Sequence, residues 1–325
     1  MSPNQSPDIA VSVSKLEKRF GDFTAVNKIS FDVKRGEIFG FLGPNGAGKS
    51  TTIRMLCGIL SPTSGEGKVG GFDIIKQQED IKQNIGYMSQ KFSLYDDLTV
   101  EENVDFYSGI YKIPKADRAD RKSKVIKMAG IEEFSKNLTR TLSGGWKQRL
   151  ALGCAIIHQP KIIFLDEPTS GVDPITRANF WAIIKDMASH GVTVFVTTHY
   201  MDEAENCNRM TLIYKGTMIA MGTPQEMKTT VMKDTVLEIT VPVAEDWMSR
   251  IAGVKGIKDA ALFSTKIHAV ADDPEAALPA IKELFRKEGA AGCDVRKILP
   301  SLEDVFVSSI ENYDREHASD QPKKS

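Results

Sequence analysis

The chain of 325 residues carries 42 lysines and arginines against 43 aspartates and glutamates, and is 41% hydrophobic. That balance fits a globular protein of about two domains and leaves no footprint for bulk nucleic-acid binding; it excludes fibrous and disordered classes. The scattered Cys57, Cys154, Cys207 and Cys293 form no CxxC pair, the start MSPNQSPDIA has no signal-peptide pattern, and no run long and apolar enough to span a membrane occurs, so a soluble chain in a reducing compartment is expected.

In chain order, VSVSKLEKRF (11–20) and KISFDVKRG (28–36) alternate as strands of a partly exposed antiparallel sheet do. Three runs then read as strands buried on both faces of a parallel sheet: GEIFGFLG (36–43), KIIFLDE (161–167) and GVTVFVTTH (191–199). Each delivers polar residues to its carboxyl end, where open α/β sheets bind ligands.

The first run opens into GPNGAGKST, made of Gly43, Pro44, Asn45, Gly46, Ala47, Gly48, Lys49, Ser50 and Thr51, followed by the helical TIRMLCGIL. This satisfies G-x-x-x-x-G-K-[ST] in its strand-then-helix context. Glycines let successive N–H groups converge on phosphate oxygens, and the helix N-terminus adds partial positive charge. Lys49 is expected on the β- and γ-phosphates of ATP, and the Ser50 hydroxyl on Mg2+.

Residues 97–141 turn helical and charged, and the cluster Arg118, Arg121, Lys122 and Lys124 reads as a solvated helix face because acids interleave with it. LSGGWKQRL (142–150) reads as a loop and then an amphipathic helix, with Ser143 at the N-cap. Ser143, Gly144 and Gly145 can present a second anion site, although one cradle already surrounds one triphosphate. The simplest resolution is a head-to-tail homodimer in which each Ser-Gly-Gly loop faces the nucleotide of the other copy. A helix start that touches only its own subunit stays open on this motif alone.

In IIFLDEP, four apolar residues raise Asp166 and Glu167 to a buried strand end, where two carboxylates need a cation or a polarised water. Asp166 is expected to hold Mg2+ through water, and Glu167 to orient and deprotonate the attacking water. His199 ends its strand beside them and reads as a γ-phosphate sensor. His158, His190, His268 and His317 read as structural. Beyond residue 228 the pattern β-α-β-β-α-β, with a further helix from Ser301, suggests a small ferredoxin-like unit over 234–311, and the polar tail 312–325 reads as disordered.

Cradle, second glycine loop, acidic pair and histidine together resemble the nucleotide-binding subunit of ATP-binding-cassette (ABC) transporters, over about residues 8–225. The resemblance implies a P-loop NTPase fold with a mixed, largely parallel sheet and a helical subdomain at about 91–150. It implies that Phe20 stacks on adenine, that Gln90 meets Mg2+ and the attacking water, and that Asp173 lies at the dimer interface. Trp146 stands where the family usually has glutamine. The ending LPSLEDVF is similar to drug-resistance-type exporter ATPases of the ABC-2 class. That implies a separate integral membrane permease docked against KFSLYDDLTV (91–100) at the cytoplasmic face of the membrane. A soluble cassette ATPase working on ribosomes or nucleic acid is the alternative; the single cradle, the lack of heptads and the near-neutral charge favour the transporter. The C-terminal unit is expected to brace the dimer, or to sense a ligand.

Overall fold

A computed structural model describes residues 8–91, 93–290 and 292–317. The chain divides into two compact units between Thr223 and Pro224. The first unit runs β1 (Ile9–Phe20), β2 (Phe23–Lys34), β3 (Ile38–Leu42), α1 (Lys49–Leu56), β4 (Ser64–Val69), β5 (Phe72–Asp73), α2 (Gln78–Asn84) and β6 (Ile85–Met88). Helices α3 (Val100–Ile110), α4 (Lys115–Ala129) and α5 (Gly144–Ile156) follow. The unit closes with β7 (Ile162–Asp166), α6 (Pro174–Ser189), β8 (Thr193–Thr198), the single turn α7 (Met201–Ala204), β9 (Arg209–Tyr214) and β10 (Thr217–Gly222).

Its main sheet has the order β10-β9-β3-β8-β7-β6, parallel except for the β10 edge. Every residue of β3, β7 and β8 is buried, because alternating side chains fill two separate cores. On one face the register sets Phe39, Phe195 and Phe164 in a row across three strands. Their ring centroids lie 5.7 and 5.4 Å apart. Phe31 stacks on Phe39 at 5.6 Å from the antiparallel sheet β2-β1-β4-β5. On the other face Ile163, Leu165, Val194 and Val196 meet Phe180, Trp181 and Ile184 of α6 and Leu152 of α5. Burying each such side chain contributes about 1.5–3 kcal/mol, so this sheet is a rigid platform for whatever its edge carries.

Helices α3, α4 and α5 close a third core around Val104, Ile126, Ala129, Leu150 and Cys154. The expectation of an amphipathic α5 needs correction: Ala151, Leu152 and Ala155 pack toward the sheet while Leu150 and Cys154 pack toward α3 and α4. A helix wedged between two cores has no free polar face over those turns. Helix α3 starts at a capping box between Thr99 and Glu102. Buried Asn103 donates to the carbonyls of Tyr95 and Thr99 and to Thr139 Oγ1, and accepts from the Tyr95 N–H, which pins the preceding loop.

The second unit runs α8 (Pro224–Glu226), a π-helical turn Met227–Val231, β11 (Thr235–Thr240), α9 (Ala244–Ala252), β12 (Ile257–Phe263), β13 (Lys266–Ala271), α10 (Pro274–Lys287), β14 (Asp294–Ile298) and α11 (Leu302–Glu316). Its antiparallel sheet has the order β12-β13-β11-β14, the arrangement of a ferredoxin-like split unit. Leu237, Ile239, Ile267 and Val295 face Trp247 and Ile251 of α9 and Ile281 and Phe285 of α10. The expected disordered tail from 312 is corrected as far as Glu316, which is still α11. Ser301 and Asp304 form a capping box that starts this helix, and Leu302, Val305 and Ser308 bury one face of it. Residues 318–325, like the start of the chain at 1–7, lie outside the described residues.

Among the described residues no helix is long and apolar enough to cross a membrane. Cys57, Cys154 and Cys207 are buried and Cys293 is half-buried, all as free thiols.

Candidate functional site

Strand β3 ends where the chain must turn sharply into α1, and glycine makes that turn possible. Gly48 caps α1 with φ 108°, and a Cβ there would sit 2.4 Å from the Ala25 carbonyl oxygen. No side chain caps the helix, so its first N–H groups stay available for an anion. Lys49, only 4% exposed, donates from Nζ to the carbonyls of Gly43 and Pro44 at 2.8 and 3.1 Å. It also pairs with Glu167 Oε1 at 3.0 Å.

The ends of β7 and β8 supply the acidic part. Asp166 Oδ1 accepts from Ser50 Oγ at 3.0 Å and from Thr197 Oγ1 at 2.8 Å. Burial pushes the Asp166 carboxyl up, the two hydroxyls hold part of that rise back, and the Glu167 charge adds to it. Glu167 points elsewhere. Its N–H donates to Thr197 Oγ1, and its Oε2 accepts from Gln90 Nε2 at 3.1 Å. His199 Nδ1 stands 3.3 Å from the same Oε2, yet is buried without a hydrogen bond. Glu167 has φ 48°, a left-handed conformation that strains a non-glycine residue.

Phe20, 51% exposed, lies beyond the cradle at the end of β1, with Lys18 Nζ 5.1 Å from its ring. It lines a cavity of about 380 Å3 together with Asn45, Gly46, Gly48, Lys49, Ser50, Thr51, Gln90 and Glu167. Phe23 lines it too, 63% exposed and directly across the hairpin from Phe20. Sequence reasoning missed Phe23, although its position three residues after Phe20 was a readable signal. A larger cavity of about 700 Å3 lies at the opposite end of β7 and β8, around Arg35, Lys161 and His190. It contains no residue of the cradle or the acidic pair, so the chemistry belongs to the smaller one.

Ser143, Gly144, Gly145 and Asp173 are not among the residues lining the cavity with Lys49. Ser143 occupies the N-cap position of α5, but its hydroxyl makes no cap bond. Asp173 caps α6 by accepting from the N–H groups of Ile175 and Thr176, each at 3.0 Å. Those bonds, with the Thr176 hydroxyl foremost, hold its carboxyl below the usual range. The two helix starts abut: a Cβ on Gly145 would come 2.7 Å from Thr176 Cγ2. Trp146 turns away from this surface, its ring 4.9 Å from Phe134 and beneath Arg149.

The remaining histidines sit in structural surroundings. His158 stacks on Tyr111 at 3.7 Å and its Nε2 lies 3.1 Å from the Ile85 carbonyl, while His268 Nδ1 is 2.9 Å from Asp304. His190 and His317 each bond a carbonyl four residues earlier, in α6 and α11 respectively.

The donor set fits ATP with Mg2+. Ser50 Oγ, the Asp166 carboxylate and the amide oxygen of Gln90 are hard oxygen ligands, too few for a closed cage and suited to an ion shared with phosphates. Among the described residues no group of three or more His, Cys, Asp or Glu could hold a metal alone.

The family model described as "ABC transporter" matches residues 26–170. The chain is 48% identical over 245 residues to the probable multidrug ABC transporter ATP-binding protein YbhF of Escherichia coli (strain K12), covering 74% of this chain and 42% of that one. It therefore spans less than half the length of that relative. It is 37% identical over 259 residues to the linearmycin resistance ATP-binding protein LnrL of Bacillus subtilis (strain 168), covering 79% and 83%. To the daunorubicin resistance ATP-binding protein DrrA3 of Streptomyces coeruleorubidus it is 30% identical, covering 92% and 95%. Among solved structures, cbiO1 of Clostridium perfringens, part of the complex cbiONQ, superposes with a TM-score of 0.63 at 30% identity, over 67% of this chain and 90% of that one. The ATP-binding cassette MJ0796, a dimer bound to ADP and Pi, gives 0.60 at 27% identity, over 66% and 98%.

Proposed function

This chain belongs to the ABC transporter family, and on that basis we propose that it is the ATP-hydrolysing motor subunit of an exporter. The observation that carries the reading is the convergence of Lys49, Gln90 and His199 on the single carboxylate of Glu167. Asp166 and Ser50 lie beside it.

The carboxylate of Glu167 accepts a proton from water as that water attacks the terminal phosphorus of ATP. Gln90 fixes the direction of that carboxylate while His199, beside it, senses the γ-phosphate, and positioning of this kind can supply several kcal/mol of the barrier reduction. Lys49 neutralises phosphate charge. The α1 N–H groups cradle the remaining oxygens. Ser50, Asp166 and Gln90 would hold Mg2+, which supplies further charge neutralisation to the phosphates. Phe20 and Phe23 offer faces on which adenine stacks.

Ser143, Gly144, Gly145 and Asp173 complete the site of a second copy in a head-to-tail dimer. The exposure of Ser143, Gly144 and Asp173 in the single chain and the unused Ser143 hydroxyl support that assignment. The loop before α3 docks a membrane permease at the cytoplasmic face of the membrane. An export direction is supported by relatives named for Nod factor export and daunorubicin resistance.

The test is Glu167→Gln. Phosphate release is expected to fall at least about a hundredfold, as for loss of a general base. Mg·ATP binding is expected to persist, and a dimer to accumulate by light scattering. Turnover near that of the unsubstituted protein would sink the assignment of Glu167. A persistent monomer under saturating Mg·ATP would sink the sandwich.

A further inference from the structure

Glu203 is 1% exposed, and none of the motifs above accounts for it. It sits in α7, four residues after His199. One carboxylate oxygen accepts from the hydroxyl of Thr169, two residues past Glu167. The other accepts from Thr198 Oγ1 at 2.7 Å, the residue immediately before His199. A carboxylate this deeply buried requires a positive partner. Arg177 supplies it from the first turns of α6, with Nε 3.6 Å from Glu203 Oε1.

That ion pair is not closed. Arg177 Nε is buried without a hydrogen bond, and 3.6 Å lies just beyond hydrogen-bond reach. His199 Nδ1 shows the same condition against Glu167. The two unfinished contacts stand at opposite ends of one short segment, Thr198 to Glu203. The guanidinium of Arg177 lies 4.3 Å over the ring of Tyr200, and that ring lies 4.1 Å from His199. Helix α6, which carries Arg177, begins at the exposed cap Asp173.

We infer that Glu203 is a positioning residue for hydrolysis, acting with Arg177. When a second copy engages the start of α6, Arg177 closes on Glu203. The carboxylate, already bonded to Thr198 and Thr169, carries both with it, which sets His199 against Glu167. The inference rests on the proposed motor function and adds the route by which docking of the second copy reaches the base.

Glu203→Gln in the full chain tests it, because the amide keeps the shape, accepts from one threonine hydroxyl and donates to the other, but cannot form an ion pair with Arg177. We expect kcat for ATP hydrolysis to fall about tenfold with KM within about twofold, the pattern of an interaction made in the transition state. Arg177→Met, a change at a partly exposed side chain, should give the same loss and serves if Glu203→Gln fails to fold. The double variant should lose no more than either alone, since contacting residues are not additive. A drop in melting temperature with kcat unchanged in the folded protein would reduce Glu203 to a structural carboxylate and overturn the inference. Additive losses in the double variant would overturn the coupling. Normal turnover by both single variants while Glu167→Gln is inactive sinks this inference alone, whereas an active Glu167→Gln sinks the reading beneath it.

Discussion

Glu167 shows what a sequence can and cannot disclose about a single residue. The acidic pair at the end of an apolar strand was legible. The left-handed backbone at Glu167 was not, because residues preceding proline normally avoid it. Strain of this kind costs about 1–3 kcal/mol and persists where neighbours over-determine the position. Lys49, Gln90 and Thr197 do so here, and of these Thr197 was missed because a threonine inside an apolar strand looks like ordinary β-former packing. His158 offers a clean measurement at this scale. Burial lowers its pKa from the ordinary 6.5 to about 4, with the Ile85 carbonyl opposing and Arg121 assisting. A depressed folded value means that the neutral ring favours folding above the ordinary value, and that this contribution is lost as pH falls toward the folded one. The melting temperature of the first unit should therefore decline between about pH 6.5 and 4. His158→Asn should flatten that decline. Parallel declines in the two proteins would show that the ring carries no such linkage.

Whole elements were legible where their pattern was long. The β-α-β-β-α-β order of the second unit follows from period-2 and period-3.6 stretches separated by turn residues, and the sheet order completes it. Strands β4, β5, β6, β9 and β10 escaped notice; β5 and β6 have only two and four residues, and glycine or methionine interrupts β4 and β10. The extent of α11 was misjudged because its last turns are polar on all sides, and what keeps them helical is the well-capped, buried start upstream. The loop proposed to dock a permease depends on Asn103, whose side-chain bonds leave almost nothing unpaired. Asn103→Leu strands those partners in a buried place and should cost about 1–3 kcal/mol per unsatisfied group. Urea unfolding measures that loss, and proteolysis should cut the loop before α3 faster. Unchanged urea midpoints would show that water replaces the amide.

At the scale of the whole chain, each unit closes its own core, so each meets the condition for independent folding. A chain ended after Thr223 should stay soluble and bind Mg·ATP within about threefold of the full chain, because every residue lining the cradle cavity precedes that point. Titration by fluorescence or calorimetry checks this, and loss of binding would show that the second unit holds up the first. The molecule as a whole is almost neutral, so no long-range field gathers anions toward it. Discrimination must then happen at Lys49, whose three N–H donors are all committed, two to carbonyls and one to Glu167. Such a site behaves like an ion-exchange resin: it takes up an anion only by releasing the counter-ion it already holds. A polyphosphate can make that exchange, and in doing so frees the carboxylate proposed to receive the proton. An uncharged nucleoside has nothing to trade and gains only the aromatic faces at the rim, so loading the site and arming it become a single event.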